Sequence, residues 1–252
     1  MPLRLLASLG VLVTAAAAIF LAYGLAGWFG GNPFVDEGPA VATHDAAAAV
    51  VLSGDMGLSF GMSGRIAARL ADAGMPVVAV NSLAFYSTER SAAETAGLIA
   101  SAIARAARRS PAGRVVLIGQ SFGADMLHVG LAELPPAVRS RVQAVVLVVP
   151  GTSVIFHASP AETLDLDPPD AKALPTARRL DWVPVTCIRG AKESDSLCPL
   201  LTLPNVTRVT LPGGHRLHFD VARLVATIRH AIAVSAKITD PTSAGHSPAS
   251  RR

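Results

Sequence analysis

The sequence predicts a doubly wound, mostly parallel α/β sheet, and three observations carry that prediction. Short apolar runs rich in Val, Ile and Leu recur without polar alternation, as strands buried on both faces require. Amphipathic stretches with helical spacing separate them. The junctions hold Gly, Ser, Asn and Pro, the residues that turn a chain. A chain of 252 residues, 51% of them hydrophobic, is long enough to bury one such domain.

The elements run in order along the chain. "AAAVVLSG" reads as a strand ending near Ser53, followed by the glycine-rich turn "SGDMGLSFG". "SGRIAARLADAGM" reads as a helix with Ser63 as its N-cap, and "PVVAVNS" as the next strand. "SAAETAGLIASAIARAARRS" is an amphipathic helix opened by a capping box of Ser91 and Glu94. "GRVVLIG" is a strand, "FGADMLHVGLAEL" a helix and "VQAVVLVVPG" a strand. Between Gly151 and Leu180 the rhythm breaks into a proline-bearing stretch, expected to cap the ligand side. "VPVTCIRG" and "VTRVTLPG" are the last strands, and "FDVARLVATIRHAIAVS" is the last helix. About six strands with helices on both faces therefore occupy residues 47–238. Residues 31–46 read as a linker, and the polar tail 239–252 is expected to be disordered.

The first thirty residues stand apart. Arg4 precedes "LLASLGVLVTAAAAIFLAYGLAGWF", which holds no charge. As a helix it would reach roughly 37 Å at 1.5 Å per residue, enough to cross a hydrocarbon core of about 30 Å. It reads either as a retained signal anchor or as a signal peptide cleaved near Ala22 to Ala26. Both export the domain. Export bears on Cys187 and Cys198, the only cysteines, which bracket the acidic loop "CIRGAKESDSLC". In an oxidising compartment they are expected to bond and brace that loop; two unpaired buried thiols are the alternative. The net charge of +4 is dispersed. Arg105, Arg108 and Arg109 read as a solvated helix face, and no basic stripe with interleaved aromatics points to nucleic acid.

Ligands of such sheets lie beyond the carboxyl ends of the strands, so reactive residues there matter most. Gly119-Gln120-Ser121-Phe122-Gly123 comes after a strand and opens a helix, the context of a nucleophile elbow in an α/β-hydrolase fold. Ser121 is then the nucleophile. It needs a base, and His215, between the last strand and the last helix, has the expected position; His218 competes. The base needs an acid to fix its tautomer, and the acid follows a strand between Ser and His in chain order. Glu193 and Asp195 both satisfy that, and the sequence leaves both open. The oxyanion donors are expected at the Phe122 N–H and at the N–H of Asp55 or Met56. No metal or organic cofactor is expected.

The segments "SGDMG", "GQSFGAD", "LPGGHRLHF" and "CIRGAKESDSLCP" together resemble the bacterial virulence protein family AcvB/VirJ, over roughly Ala47 to Ser235. The chain departs from it at Met56 and Leu58, where members usually show a glycine and an aromatic. It departs again where Arg216 and Leu217 separate His215 from His218, in place of paired histidines. The resemblance implies a periplasmic hydrolase acting on the aminoacyl, particularly lysyl, ester of aminoacyl-phosphatidylglycerol. It also implies a phospholipid partner at the membrane surface and, for some members, links to type IV secretion proteins. A carboxylate, Asp125 or Asp55, would then hold the lysyl ammonium. The rival expectations are a non-catalytic periplasmic adaptor and a general esterase, lipase or thioesterase.

Overall fold

A computed structural model describes residues 2–43, 46–159 and 167–239. Its strands are β1 (Phe34–Glu37), β2 (Ala48–Leu52), β3 (Val77–Val80), β4 (Val115–Gln120), β5 (Val142–Val148), β6 (Ser153–Val154), β7 (Ala171–Lys172), β8 (Val185–Gly190) and β9 (Val206–Leu211). Seven of them form one sheet in the order β1-β3-β2-β4-β5-β8-β9, while β6 and β7 pair apart from it. All neighbours in the large sheet are parallel except β1, which runs antiparallel to β3 with Phe34 opposite Val80. The expected strands form where the sequence puts them. β1 is the addition to the large sheet and falls inside the expected linker, while the short β6 and β7 are additions within the expected cap.

The helices are α1 (Pro2–Ala26), α2 (Ser63–Asp72), α3 (Ser82–Tyr86), α4 (Ala92–Ala107), α5 (Phe122–Glu133), α6 (Pro136–Arg139), α7 (Leu174–Ala177) and α8 (Val221–Thr239). Alternate strand residues feed two cores. Val50, Leu52, Leu117, Val145 and Leu147 pack with α4 and α5 on one face. Val51, Val116, Ile118 and Val146 pack with α2 and α8 on the other. Such central strands are buried on both sides, which explains their unbroken apolar runs.

Three local features differ from the sequence reading. The N-cap of α2 is Met62, which makes no side-chain cap bond. Ser63 instead accepts from the Gly54 N–H (3.3 Å) and donates to Gln120 Oε1 (2.7 Å). The last helix starts at Val221 rather than Phe219, because Leu217, His218 and Phe219 all adopt positive φ in a tight turn. Arg105 and Arg109 are not merely solvated. Arg105 grips Asp36 through two bonds of 2.7 and 2.9 Å, and Arg109 donates to the Glu37, Pro39 and Val77 carbonyls, fastening β1 to the domain. The Ser91–Glu94 capping box forms in both directions. α1 is 25 residues long. Among the described residues no helix is long and apolar enough to cross a membrane. Residues 240–252 of the expected tail and 160–166 of the expected cap lie outside the described residues.

Candidate active site

The elbow is built by glycine. A Cβ on Gly119 would stand 2.4 Å from the Gly123 carbonyl oxygen, and one on Gly123 would stand 2.3 Å from that of Ser53. Real side chains cannot sit so close to backbone, so β4, α5 and the end of β2 approach only because both positions are bare. Ser121 between them has φ 55° and ψ −126°, a conformation disfavoured for a residue with a side chain. Its N–H donates to the Val148 carbonyl (2.9 Å), and its carbonyl accepts from Ala124 and Asp125. The strain is thus held from β5 and from the first turn of α5.

Three side chains converge there. Ser121 Oγ lies 2.7 Å from His215 Nε2, and His215 Nδ1 lies 2.7 Å from Glu193 Oε1. A carboxylate only accepts, so Nδ1 carries the imidazole proton, and Nε2 is left bare to accept from the serine hydroxyl. Glu193 is 3% exposed while His215 is 49% exposed, so the carboxylate is dry and the imidazole open to solvent. The second Glu193 oxygen accepts from the Gly190 N–H (3.1 Å), and the Glu193 N–H donates to the Gly190 carbonyl (3.2 Å). The loop is therefore folded on itself just past β8. Cys187 and Cys198 form a disulfide across it, with Cα atoms 5.5 Å apart.

The other candidates lie around this triad. Asp195 does not reach His215. Its Oδ1 accepts from the Thr152 N–H (3.3 Å) and from the Thr152 hydroxyl. Of the two acids left open by the sequence, Glu193 alone contacts the imidazole; Asp195 is exposed and turned to the segment after β5. His218 is exposed against the backbone of Gly213 and makes no hydrogen bond among the described residues. Phe122 opens α5, so its N–H has no carbonyl one turn behind it. The opposite turn comes close at Gly54, where a Cβ would stand 3.7 Å from that of Ser121. Asp55 and Met56 are the next two residues of that turn. The Ser63 bridge from the Gly54 N–H to Gln120 ties this turn to the elbow, a link with no signal in the sequence.

Asp125 is 14% exposed, and its Oδ1 accepts from the Gly151 N–H (3.0 Å). Burial pushes its carboxyl well above the usual range, and the nearby Asp195 and Glu193 push the same way, against the Gly151 bond. His128, wholly buried one turn further on, is pushed down to about 3 by that burial. Its Nδ1 lies 2.9 Å from Thr176 Oγ1, which itself donates to the Ala173 carbonyl. Nδ1 therefore carries the proton, and Nε2 is an unpartnered acceptor among the described residues. Sequence reasoning missed Gly151 and Thr152, which follow β5, and passed over His128, which lies in the helix the elbow opens. A separate cavity of about 200 Å³, lined by Ile19, Tyr23, Met56, Phe60 and Leu83 among others, lies between α1 and the turn after β2. None of the converging triad is in its wall.

Comparison with known proteins gives the fold and the family. Est1E from Butyrivibrio proteoclasticus with bound ferulic acid superposes with a TM-score of 0.56 at 12% identity, covering 81% of this chain and 94% of that one. DcsB in complex with its substrate analogue gives 0.54 at 12% identity, over 80% and 98% of the chains. Naproxen esterase from Bacillus subtilis gives 0.52 at 16% identity, over 78% and 86%. The architecture is that of the α/β hydrolases. No curated protein matches the sequence. Residues 46–235 match the family described as bacterial virulence protein (VirJ). That segment runs from just before β2 into α8 and takes in the elbow, the acidic loop and His215, and the chain belongs to the VirJ family of bacterial virulence proteins.

Proposed function

We propose that this chain is an exported serine hydrolase that cleaves an ester, with the aminoacyl ester of aminoacyl-phosphatidylglycerol, chiefly the lysyl form, as substrate. The observation that carries the proposal is the unbroken hydrogen-bond chain Ser121–His215–Glu193, with both links at 2.7 Å. Ser121 Oγ attacks the acyl carbonyl while His215 Nε2 takes its proton. The negative charge gathers on the carbonyl oxygen, facing the N–H of Phe122 and that of Asp55 or Met56. Collapse expels the lipid hydroxyl, which takes the proton back from His215. Water then repeats the sequence on the acyl-enzyme, with His215 as base. Glu193 holds the imidazole in the useful tautomer and offsets the charge it gains.

A carboxylesterase among proteins of the same fold supports the reaction class. The lipid ester is supported by the family resemblance and by the apolar sequence of α1, which suits a membrane anchor or an export signal. The disulfide around the acidic loop supports a periplasmic location, where such bonds persist. Secretion-system proteins are partners the resemblance implies for some members.

Two measurements test the reading. An active-site fluorophosphonate should label the full chain, and Ser121→Ala should abolish labelling; a folded wild-type protein that stays unlabelled would instead support the adaptor role. Lysyl-phosphatidylglycerol should then be cleaved in preference to simple acyl esters. The reverse preference would leave a general esterase.

A further inference from the structure

We propose that Asp125 and Asp195 form a subsite for an ammonium group of the substrate, above the bare backbone of Gly151. This rests on the hydrolase reading of Ser121 and assigns which residues choose the acyl group. Each carboxylate is anchored through one oxygen to the same turn. Asp125 Oδ1 accepts from the Gly151 N–H (3.0 Å), and Asp195 Oδ1 accepts from the Thr152 N–H (3.3 Å) and hydroxyl. The remaining oxygens converge. A Cβ built on Gly151 would stand 3.6 Å from Asp195 Oδ2 and 3.7 Å from Asp125 Oδ2. An ammonium nitrogen near that point would meet both carboxylates with small adjustment.

Two further facts point to a ligand. His128, its side chain 0% exposed, leaves Nε2 without a hydrogen-bond partner 3.8 Å from Asp125 Oδ1, so a buried acceptor is directed at the Asp125 carboxyl. The cluster also lacks positive charge. Among the described residues neither aspartate makes an ion pair with Lys or Arg. His128 cannot supply the charge, because burial keeps its imidazole neutral. Burial, with Asp195 and Glu193 nearby, accordingly raises the Asp125 carboxyl well above its usual range. A cation from outside would relieve that crowding. A metal ion is the poorer fit, since no three His, Cys, Asp or Glu among the described residues are grouped to hold one. The position also suits the reaction. Asp125 lies one helical turn from Ser121, whose carbonyl accepts its N–H (3.2 Å). Asp195 sits two residues past Glu193 in the disulfide-closed loop.

The test measures binding of lysinamide and hexanamide, which carry two amines and none, to the full-length Ser121→Ala protein by calorimetry. Lysinamide should bind at least about tenfold tighter, as one charge-assisted hydrogen bond provides. Asp125→Asn and Asp195→Asn should each erase most of that advantage while leaving hexanamide binding unmoved. Gly151→Ala gives a variant with both charges intact, because the new methyl would make only ordinary contacts yet fill the converging point; it too should erase the preference. Equal binding of the two amides, or a preference untouched by all three substitutions, would overturn the subsite. Loss of both amides together would mean a structural role for the aspartates and would overturn it as well. Fluorophosphonate labelling of wild type separates the two claims: discrimination without labelling sinks the hydrolase and spares the subsite, and labelling without discrimination does the reverse.

Discussion

Replacing Glu193 by Gln removes one charge and almost no volume, yet it breaks the hydrogen-bond chain in either orientation of the new amide. The carboxylate accepts from two donors at once, the Gly190 N–H at 3.1 Å and His215 Nδ1 at 2.7 Å, in a site where its side chain is 3% exposed. An amide has one oxygen for these two donors. If that oxygen stays with Gly190, the NH2 faces Nδ1, and the imidazole must move its proton to Nε2, where it can no longer accept from Ser121. If the oxygen turns to His215, the NH2 confronts the Gly190 N–H, and an unmet buried donor costs about 1–3 kcal/mol of stability. The charge that would offset the imidazolium is lost in both cases. The expected fall in kcat is about 10²- to 10⁴-fold, or about 3–5 kcal/mol at the barrier, on the scale of acid-to-amide changes in other triads. KM should move little, because Glu193 lies behind the imidazole. The assay is steady-state hydrolysis of an aryl ester, with circular dichroism to verify the fold. A folded Glu193→Gln protein that keeps kcat within tenfold of wild type would refute the assignment. A larger loss in Asp195→Asn than in Glu193→Gln on an amine-free ester would refute it too.

Three other outcomes are expected. Cys187→Ala/Cys198→Ala opens a loop with a sequence separation of 11 and should cost about 3 kcal/mol in denaturant unfolding, by the chain-entropy relation; a loss under about 1 kcal/mol would deny the bond a bracing role. Gly123→Ala drives a methyl to 2.3 Å from the Ser53 oxygen and 2.5 Å from that of Leu52, and should cost about 3 kcal/mol or more, with elbow activity lost; a near-neutral effect on the unfolding midpoint would contradict the close approach. Asp125 holds its proton more tightly folded than unfolded, so its contribution is fully present below the ordinary aspartate range and is lost as pH rises toward the raised value. Urea unfolding from pH 4 to 8 should therefore show Asp125→Asn gaining on wild type as pH rises, and parallel curves would refute the shift.

The fold was legible wherever burial was complete. β2, β4 and β5 lie between two helical layers, so nearly every residue had to be apolar, and the runs announced themselves. β1 was illegible because its four residues, Phe34–Glu37, show Val35 and Asp36 to solvent and owe their extension to β3 and the two arginines. α3 was too short for periodicity; Asn81 starts it by accepting from the Ala84 N–H. Ser63 misled for a clearer reason. A serine before an amphipathic run is a good cap candidate, but here it is the first helical residue, and its hydroxyl accepts from the Gly54 N–H and donates to Gln120, 57 positions away.

The acidic loop shows the same limit at the site. Glu193 and Asp195 share a loop, a charge and a chain order, so local rules could not divide them. What divides them is reach. The longer glutamate can bend back to the Gly190 N–H while its other oxygen meets His215, which places it in the dry interior of the loop. The shorter aspartate, two residues on, meets Thr152, 43 positions earlier, on the open side. Two carboxylates of one loop thus acquire different environments, and such separation commonly marks different roles. The enclosed one has every oxygen committed and is suited to orienting a base. The exposed one keeps its Oδ2 beside Gly151, where Asp125 Oδ2 also lies, and that shared approach to one bare backbone position is what the proposed ammonium subsite rests on.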